Sequence, residues 1–243
     1  MSGMDWQSSA LTRALDRWLE EDIGRGDLTA SALQGKHGHA HWIAKQPGCF
    51  CGGPLVQQLF QRLDPEVSVH LLRDDGAAVE VGDRLLDLEG PATALVAGER
   101  TALNLAMRLS GIATATAELV AQLQGTGVRL ADTRKTTPGL RLLEKYAVRC
   151  GGGINHRMGL DDAAMLKENH IAWAGGITMA IAAVRSSAPW PARVIVEAET
   201  EAQATEAVQA GADGVLLDEF TPTQLTALVP RLRELSSRGV VLE

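Results

Sequence analysis

The chain has 243 residues, a hydrophobic fraction of 45% and a formal net charge of −7, which suits one large domain or a small domain joined to a barrel-sized one. The acidic balance argues against nucleic acid or an anionic membrane as partner, because such proteins present a dominant basic surface. No apolar run approaches the roughly 18 residues of a spanning helix, and no secretory signal pattern is seen at the N-terminus. An odd count of three cysteines indicates free thiols in a reducing compartment, so we expect a cytoplasmic protein.

The first part of the chain mixes helices with strands of antiparallel type, which predicts a small α+β domain. Apolar residues recur at helical spacing and alternate in shorter runs. The predicted helices cover residues 4–21, 53–63 and 97–124, the last with a break at Gly111, and the predicted strands cover residues 38–46, 67–72 and 84–88.

Histidines and cysteines in this part suggest a zinc site at first sight. His37, His39 and His41 alternate, and Cys49 and Cys51 follow. Alternate strand residues share a face without converging on a tetrahedral point, and the Cys-x-Cys spacing is tighter than that of structural zinc sites. We therefore interpret them as solvated histidines and small core-lining cysteines, with zinc as the alternative.

From residue 128 onward, strand-like runs alternate with helical segments, which is the pattern of a parallel sheet or barrel. The predicted strands cover residues 128–131, 163–166, 194–196, 214–217 and 240–242, and the predicted helices cover residues 140–148, 177–186, 201–210 and 223–235. The three glycines at 151–153 follow a helix, so we interpret them as a helix end and turn rather than a phosphate loop.

Each of these five strand-like runs ends in an ionisable residue, and the five are Asp132, Lys167, Glu197, Asp218 and Glu243. Active sites of α/β barrels lie at the carboxyl ends of the strands. A doubly wound sheet binds ligands at the same ends, so this pattern alone leaves both folds open.

Basic residues cluster near the carboxyl ends of two of these strand-like runs, although the chain is acidic overall. Arg134, His156 and Arg157 suit a carboxylate or phosphate, since guanidinium groups bind both in a bidentate way, and Lys135 and Lys167 add point charges. The cluster therefore predicts a site for a small anion.

The acids at Glu197 and Asp218 allow two interpretations. Carboxylates beside cations fit a phosphate substrate bridged by Mg²⁺, or they neutralise Lys135 and Lys167. A third reading, a lyase that forms a Schiff base on Lys167, is less favoured because competing charges crowd this lysine.

The chain closely resembles the quinolinate phosphoribosyltransferase family over nearly its whole length. The resemblance is densest at Asp132–Gly139 and Gly151–Arg157, and the matching segments are Glu21–Thr29, Gly98–Asn104, Leu109–Thr114, Asp132–Gly139, Gly151–Arg157, Lys167–His170, Val196–Glu199 and Leu217–Asp218. Motifs of this length in this order are highly specific. The resemblance implies an N-terminal α+β sandwich domain over 1–110 and an incomplete α/β barrel over 111–243.

The resemblance also implies substrates and roles. Quinolinate, phosphoribosyl pyrophosphate (PRPP) and Mg²⁺ would bind at the barrel mouth, and the product would be a nucleotide of NAD biosynthesis. Arg134, His156 and Arg157 would hold quinolinate carboxylates, and Thr133 would belong to the same loop. Lys135 and Lys167 would lie close to both substrates. Glu197 and Asp218 would lie near the ribose and the metal-bound pyrophosphate, and they would hold the metal ion directly or indirectly.

Arg100 matches an arginine that in this family reaches the active site of a neighbouring subunit. Sequence alone favours a surface ion pair for a helical arginine, but the resemblance implies a homodimer in which Arg100 acts across the interface.

Three departures from the family pattern are visible. Ile195 stands where an acid is usual, and Glu219 stands where asparagine is usual; both are closer to a molybdenum-transport-associated relative of the same fold. The family also continues beyond position 243 with a glycine-rich phosphate loop, so we expect weak or absent turnover if that loop is missing. The alternatives to an active transferase are therefore that relative or a catalytically silent barrel that binds a dicarboxylate.

Overall fold

A computed structural model describes residues 4–243, which form two compact units that divide between residues 156 and 157. Residues 1–3, with which the predicted N-terminal domain begins, lie outside the described residues. The predicted domain boundary at residue 110 falls inside a long helix and remains a prediction. Among the described residues, no helix is long and apolar enough to cross a membrane.

The first unit combines five helices with short antiparallel strands. Its elements are α1 (Ser9–Ile23), α2 (Ala30–Leu33), β1 (His37–Ile43), β2 (Gly48–Cys49), α3 (Gly53–Leu63), β3 (Ser68–Leu71), β4 (Ala78–Val79), β5 (Arg84–Pro91), α4 (Ala92–Gln122) and α5 (Arg141–Cys150).

The helices of this unit follow from capping and apolar spacing. The Ser8 side chain accepts a hydrogen bond from the backbone of α1, and Leu11, Leu15 and Leu19 bury one face of it. Helix α3 has Pro54 in its first turn, where a proline needs no hydrogen bond. The prediction for α3 is confirmed at both ends, whereas α1 begins several residues later than predicted.

The strands of this unit form two antiparallel sheets, of order β1-β5-β3 and β2-β4. Strand β5 lies at the centre of the larger sheet, and its Leu86 and Leu88 are buried in the core. The predicted antiparallel character of this region is confirmed. The histidines of β1 are exposed and the cysteines are buried, as predicted for solvated histidines and core-lining cysteines.

Helix α4 runs without interruption, so the predicted break at Gly111 is wrong. A glycine inside a helix costs about 1 kcal/mol relative to alanine, which packing can offset. Leu105, Leu109 and Ala113 on either side of it are buried against the core. Tertiary packing thus carries the helix through this position.

The predicted strand at residues 128–131 is also wrong in detail. Only one bridge forms there, between Ala131 and Ile154, and the two segments run parallel. The Ile154 amide donates to the Leu130 carbonyl at 2.8 Å, and the Asp132 amide donates to the Ile154 carbonyl at 3.1 Å. The glycines after α5 form a helix end and turn as predicted, with Gly152 in the left-handed region.

The second unit alternates strands and helices around one parallel sheet. Its elements are β6 (Ala164–Leu166), α6 (Glu168–Ala174), α7 (Ile177–Ser187), β7 (Val194–Ala198), α8 (Glu201–Gln209), β8 (Gly214–Leu217), α9 (Pro222–Leu235) and β9 (Val241–Leu242). All of the predicted strands and helices in this part exist, and α6 was not predicted.

The order of this sheet decides between the two folds that the sequence left open. The strands lie in the order β6-β7-β8-β9, all parallel. A doubly wound sheet reverses its strand order at the ligand site, whereas a barrel adds each strand beside the previous one. The sequential order, with no reversal among these four strands, therefore fits a part of an α/β barrel.

The two positions that depart from the family pattern differ in environment. Ile195 is buried in β7. Glu219 follows β8 with a φ of 61°, in the left-handed region that asparagine tolerates better than glutamate.

Candidate active site

In the first unit, the carboxylate of Asp132 joins three segments of the chain. It forms an ion pair with Lys145 of α5. Its oxygens also accept hydrogen bonds from the Asn155 amide at 2.6 Å and from the His156 backbone N–H at 2.9 Å. Asp132 thus fixes the start of the Thr133–Lys135 segment beside His156.

The ion pair is almost fully enclosed, because the Lys145 side chain is 1% exposed and the Asp132 side chain 7%. Lys145 Nζ also donates to the His156 carbonyl at 3.0 Å. The Lys145 carbonyl accepts from Asn155 at 2.8 Å. Buried charges persist when paired and hydrogen-bonded in this way, so this network is a rigid support for the predicted site residues around it.

The segment after Asp132 is held by its own turn and by α5. The Thr133 hydroxyl accepts from the Lys135 backbone N–H at 3.0 Å. Arg141 Nε donates to the Thr136 hydroxyl at 3.0 Å, and Arg141 also reaches the Arg134 carbonyl at 3.4 Å. These contacts leave Thr133 and Lys135 exposed and Arg134 half-buried, available to a ligand.

A second ion pair fixes the far end of this segment. Arg108 of α4 donates to the Glu144 carboxylate at 2.8 and 2.5 Å, and Glu144 also accepts from the Thr137 N–H at 3.1 Å. Burial alone would raise the pKa of Glu144, but the hydrogen bonds from Arg108 and Thr137 outweigh it and hold the pKa below its ordinary value. The carboxylate therefore stays charged and keeps the loop on the helices.

In the second unit, three of the predicted site residues lie in or directly after neighbouring strands. Lys167 directly follows β6, Glu197 lies in β7, and Asp218 directly follows β8. Lys167 Nζ contacts Glu197 Oε2 at 2.5 Å, and the two side chains are 49% and 15% exposed. The Asp218 backbone N–H donates to the Ala198 carbonyl at 3.0 Å, which places Asp218 beside the end of β7.

This ion pair bears on the open question about the acids. Glu197 neutralises Lys167 in the structure, as one of the two interpretations predicts for this lysine. Arg157 donates to the Ala163 carbonyl at 2.9 Å. Both units thus carry predicted site residues: Arg100, Thr133, Arg134, Lys135 and His156 in the first, and Arg157, Lys167, Glu197 and Asp218 in the second.

The sequence missed the residues that support the site. Lys145 and Glu144 are buried on α5 next to Leu143 and Ala147, and Arg108, Arg141 and Asn155 complete the networks. The one available signal was charge on the apolar face of an amphipathic helix. A lysine or glutamate there is unstable unless it is paired.

The two carboxylates of the second unit fit Mg²⁺ only in part. Mg²⁺ is usually held by one or two carboxylates together with substrate phosphates and waters, and Glu197 and Asp218 on neighbouring strands supply such a donor set. Within residues 4–243, no third His, Cys, Asp or Glu ligand joins them in a cluster. These two carboxylates alone would leave most of the coordination positions of the ion to waters or to phosphate oxygens of a ligand.

A part of an α/β barrel with charged residues at the carboxyl edge of its sheet is typical of α/β-barrel enzymes, whose active sites lie at that edge. Comparison with known proteins narrows this class. Residues 27–110 match the N-terminal domain of quinolinate phosphoribosyl transferase, and residues 112–243 match its C-terminal domain.

Named relatives agree with this match. The probable nicotinate-nucleotide pyrophosphorylase [carboxylating] of Bacillus subtilis is 44% identical over 238 residues, 96% of this chain and 82% of the relative. The human nicotinate-nucleotide pyrophosphorylase [carboxylating] is 38% identical over 242 residues, 96% of this chain and 81% of the relative.

A solved structure supports the fold as well. The crystal structure of NadC from Streptococcus pyogenes is 38% identical, with a TM-score of 0.90 over 96% of this chain and 84% of that one. The predicted incomplete α/β barrel with an N-terminal α+β domain is thereby confirmed. The chain belongs to the quinolinate phosphoribosyltransferase family.

Proposed function

We propose that the chain transfers the phosphoribosyl group of PRPP to quinolinate with loss of CO₂, giving nicotinate mononucleotide and pyrophosphate for NAD biosynthesis. The match of both family domains, over residues 27–110 and 112–243, carries this proposal. Relatives named as carboxylating nicotinate-nucleotide pyrophosphorylases, the same reaction written in reverse, support it at 38–45% identity.

The first unit supplies groups that suit the dicarboxylate. Arg134 and Lys135 closely follow Asp132 in the chain, and the His156 backbone N–H donates to the Asp132 carboxylate. By the family resemblance, these residues and Arg157, which follows His156 in the chain, would bind the two carboxylates of quinolinate, since guanidinium groups match carboxylates in a bidentate way. Thr133 would shape the loop through its hydrogen bond to the Lys135 backbone.

The second unit supplies groups that suit the ribose and its leaving group. As the bond between the ribose carbon and pyrophosphate oxygen breaks, positive charge develops on the ribose and negative charge on the departing oxygen. Glu197 and Asp218 would stabilise the first, and Lys167 the second, because preorganised charges act strongly on developing charge. The Lys167–Glu197 contact presents one charge of each sign together.

Decarboxylation follows from the bond that forms. The pyridine nitrogen attacks the ribose carbon and becomes a pyridinium. When the C–C bond to the 2-carboxylate breaks, its electron pair is stabilised at the ring carbon beside that positive nitrogen, and the carbon then takes a proton. The cations that hold the remaining carboxylate keep the ring oriented.

Bound Mg²⁺ would supply positive charge for the pyrophosphate leaving group. We expect chelator-treated protein to form nicotinate mononucleotide from quinolinate and PRPP at less than about a hundredth of the rate of the same protein resupplied with Mg²⁺. Chromatography of the nucleotide product is the measurement. A full rate in the presence of chelator would contradict the metal requirement alone, whereas no nucleotide under either condition would contradict the transferase.

A homodimer with Arg100 acting in the partner's site is the second part of the proposal. Arg100 lies exposed on α4, which suits a residue that serves another subunit. If so, mixing inactive Arg100→Ala with inactive Lys135→Ala subunits regenerates one intact site in each mixed dimer. Equal random mixing of a two-fold dimer then restores about a quarter of wild-type activity.

The matched control mixes Lys135→Ala with Lys167→Ala. Both changes fall on residues that serve their own subunit in this proposal, so no mixed dimer has an intact site and no activity returns. Mass spectrometry of the intact dimers verifies the exchange of subunits. Recovery in the control, or none in the Arg100 mixture despite exchange, would contradict a role for Arg100 across the interface.

A further inference from the structure

Outside the candidate active site, the first unit contains one cluster of potential metal ligands. Cys51 Sγ, Cys150 Sγ and a carboxylate oxygen of Asp75 all lie within 4.8 Å of one another, and they are the one group of three such ligands found within residues 4–243. Cys51 is fully buried and Cys150 is 8% exposed. Two thiols and a carboxylate thus meet in the interior of this unit.

The surrounding hydrogen bonds hold the carboxylate in place. Asp75 Oδ1 accepts from the Gly52 and Gly53 amides at 2.9 Å each, at the start of α3. Asp75 Oδ2 accepts from the Tyr146 hydroxyl at 2.8 Å. Metal-binding carboxylates typically have outer partners of this kind, which fix their orientation and are worth about 10–100-fold in affinity.

The backbone that carries Cys51 is fixed equally well. The Cys51 N–H donates to the Ser110 hydroxyl at 3.0 Å, and that hydroxyl donates back to the Cys51 carbonyl at 3.1 Å. On the other side, a side chain at Gly76 would come within 3.0 Å of the Cys150 carbonyl. The Asp75–Gly76 turn therefore packs directly on the end of α5, and the ligands are held before any ion arrives.

The side chains of the cluster also contact one another. Cys51 Sγ lies 4.0 Å from Asp75 Oδ2 and donates to it. A divalent ion would relieve the cost of gathering these acids in a low-dielectric interior.

A cavity of about 520 Å³ lies beside the end of α5, and its lining includes Cys49, Thr114, Glu118 and Cys150. Of the three cluster residues, Cys150 alone lines this cavity, so we take the cavity as the source of a water on that side.

We propose that Cys51, Asp75 and Cys150 bind one thiophilic divalent cation of the Zn²⁺ class, with a water from the cavity as the fourth ligand. Tetrahedral Zn²⁺ with Zn–S bonds of about 2.3 Å separates its sulfur ligands by roughly 3.8 Å, so binding requires the ligands to close by about 1 Å at most. The ion would tie the start of α3 to the end of α5, the helix that carries Lys145.

Cobalt(II) is the probe, because thiolate ligation gives it a charge-transfer absorption band that oxygen ligation does not. Titration of the reduced protein without oxygen is expected to develop this band to one ion per chain, and Zn²⁺ is expected to abolish it. Cys51→Ala and Cys150→Ala are each expected to remove or halve the band, and Asp75→Asn to weaken binding at least tenfold. Cys49→Ala, which changes a buried cysteine outside the cluster, is the matched control and keeps the band.

No band in the wild type, or an unchanged band in Cys51→Ala, would overturn the proposal. Circular dichroism checks the folding of each variant. Should a variant fail to fold, X-ray absorption of the Co²⁺-loaded wild type counts the ligands directly. Two sulfurs with oxygen ligands support the site, whereas none, or three with Cys49 included, overturns it.

Discussion

Replacing Lys145 with methionine should lower the free energy of unfolding by about 3–5 kcal/mol, because it leaves the charge of Asp132 buried without its partner. Methionine is close to lysine in length, so packing changes little. The ammonium group, however, also donates to the His156 carbonyl. Chemical denaturation at neutral pH, monitored by circular dichroism, measures the change.

The matched control is Lys45→Met, which makes the same substitution at an exposed lysine of the same unit and should change stability by less than about 0.5 kcal/mol. The double variant Asp132→Asn, Lys145→Met removes both charges and should recover part of the loss. Equal effects of Lys145→Met and Lys45→Met would show that the buried ion pair does not support this segment.

Replacing Lys167 with alanine should lower kcat/KM for quinolinate and PRPP by about 10²–10³, the loss expected when one preorganised charge on a transition state is removed. Its stability should change little, since the Lys167 side chain is half exposed and such pairs contribute about 1 kcal/mol or less. Steady-state kinetics and thermal unfolding of the same preparation separate the two effects.

Glu197→Gln distinguishes the two roles of the Lys167–Glu197 pair. If Glu197 only neutralises Lys167, the glutamine variant keeps most of its activity, because the lysine remains in place. If Glu197 stabilises positive charge on the ribose, as proposed, activity falls by a similar factor to that of Lys167→Ala. Near wild-type kinetics in either variant would remove that residue from the proposed chemistry.

Much of the fold was predictable because its periodic patterns are strong. In the second unit, short apolar runs alternate with helical segments, and every predicted strand there exists. The strand order, which makes the sheet part of a barrel, was not available from residues alone. It depends on which strands pair, and the local pattern is the same in a doubly wound sheet.

The failures lie where tertiary packing overrides local preference. Helix α4 passes through Gly111 because buried residues on both sides hold it. Residues 128–131 have the composition of a strand, yet their one bridge is to Ile154, so regular pairing does not develop. Strands as short as β2 and β4, of two residues each, have no period to detect.

For the site, strand ends revealed the charged residues but not their partners. The sequence placed Lys167, Glu197 and Asp218 at strand ends. Lys167 and Asp218 directly follow β6 and β8, whereas Glu197 is the penultimate residue of β7. It did not reveal that Lys145 neutralises Asp132, because a lysine in a helix resembles a solvated lysine until the neighbouring segments are packed on it. The roles of the site residues, including Arg100, remain predictions.

The most direct test of the proposed function is the release of CO₂ from quinolinate labelled in its 2-carboxylate, measured on this chain with and without PRPP. The proposed transferase is expected to release CO₂ only when PRPP is present and to form an equal amount of nicotinate mononucleotide. Lys135→Ala is expected to lose both products. Lys45→Ala should retain both. Absence of PRPP-dependent CO₂ release from the folded protein would contradict the proposed transferase activity and favour a barrel that binds the dicarboxylate without turning it over.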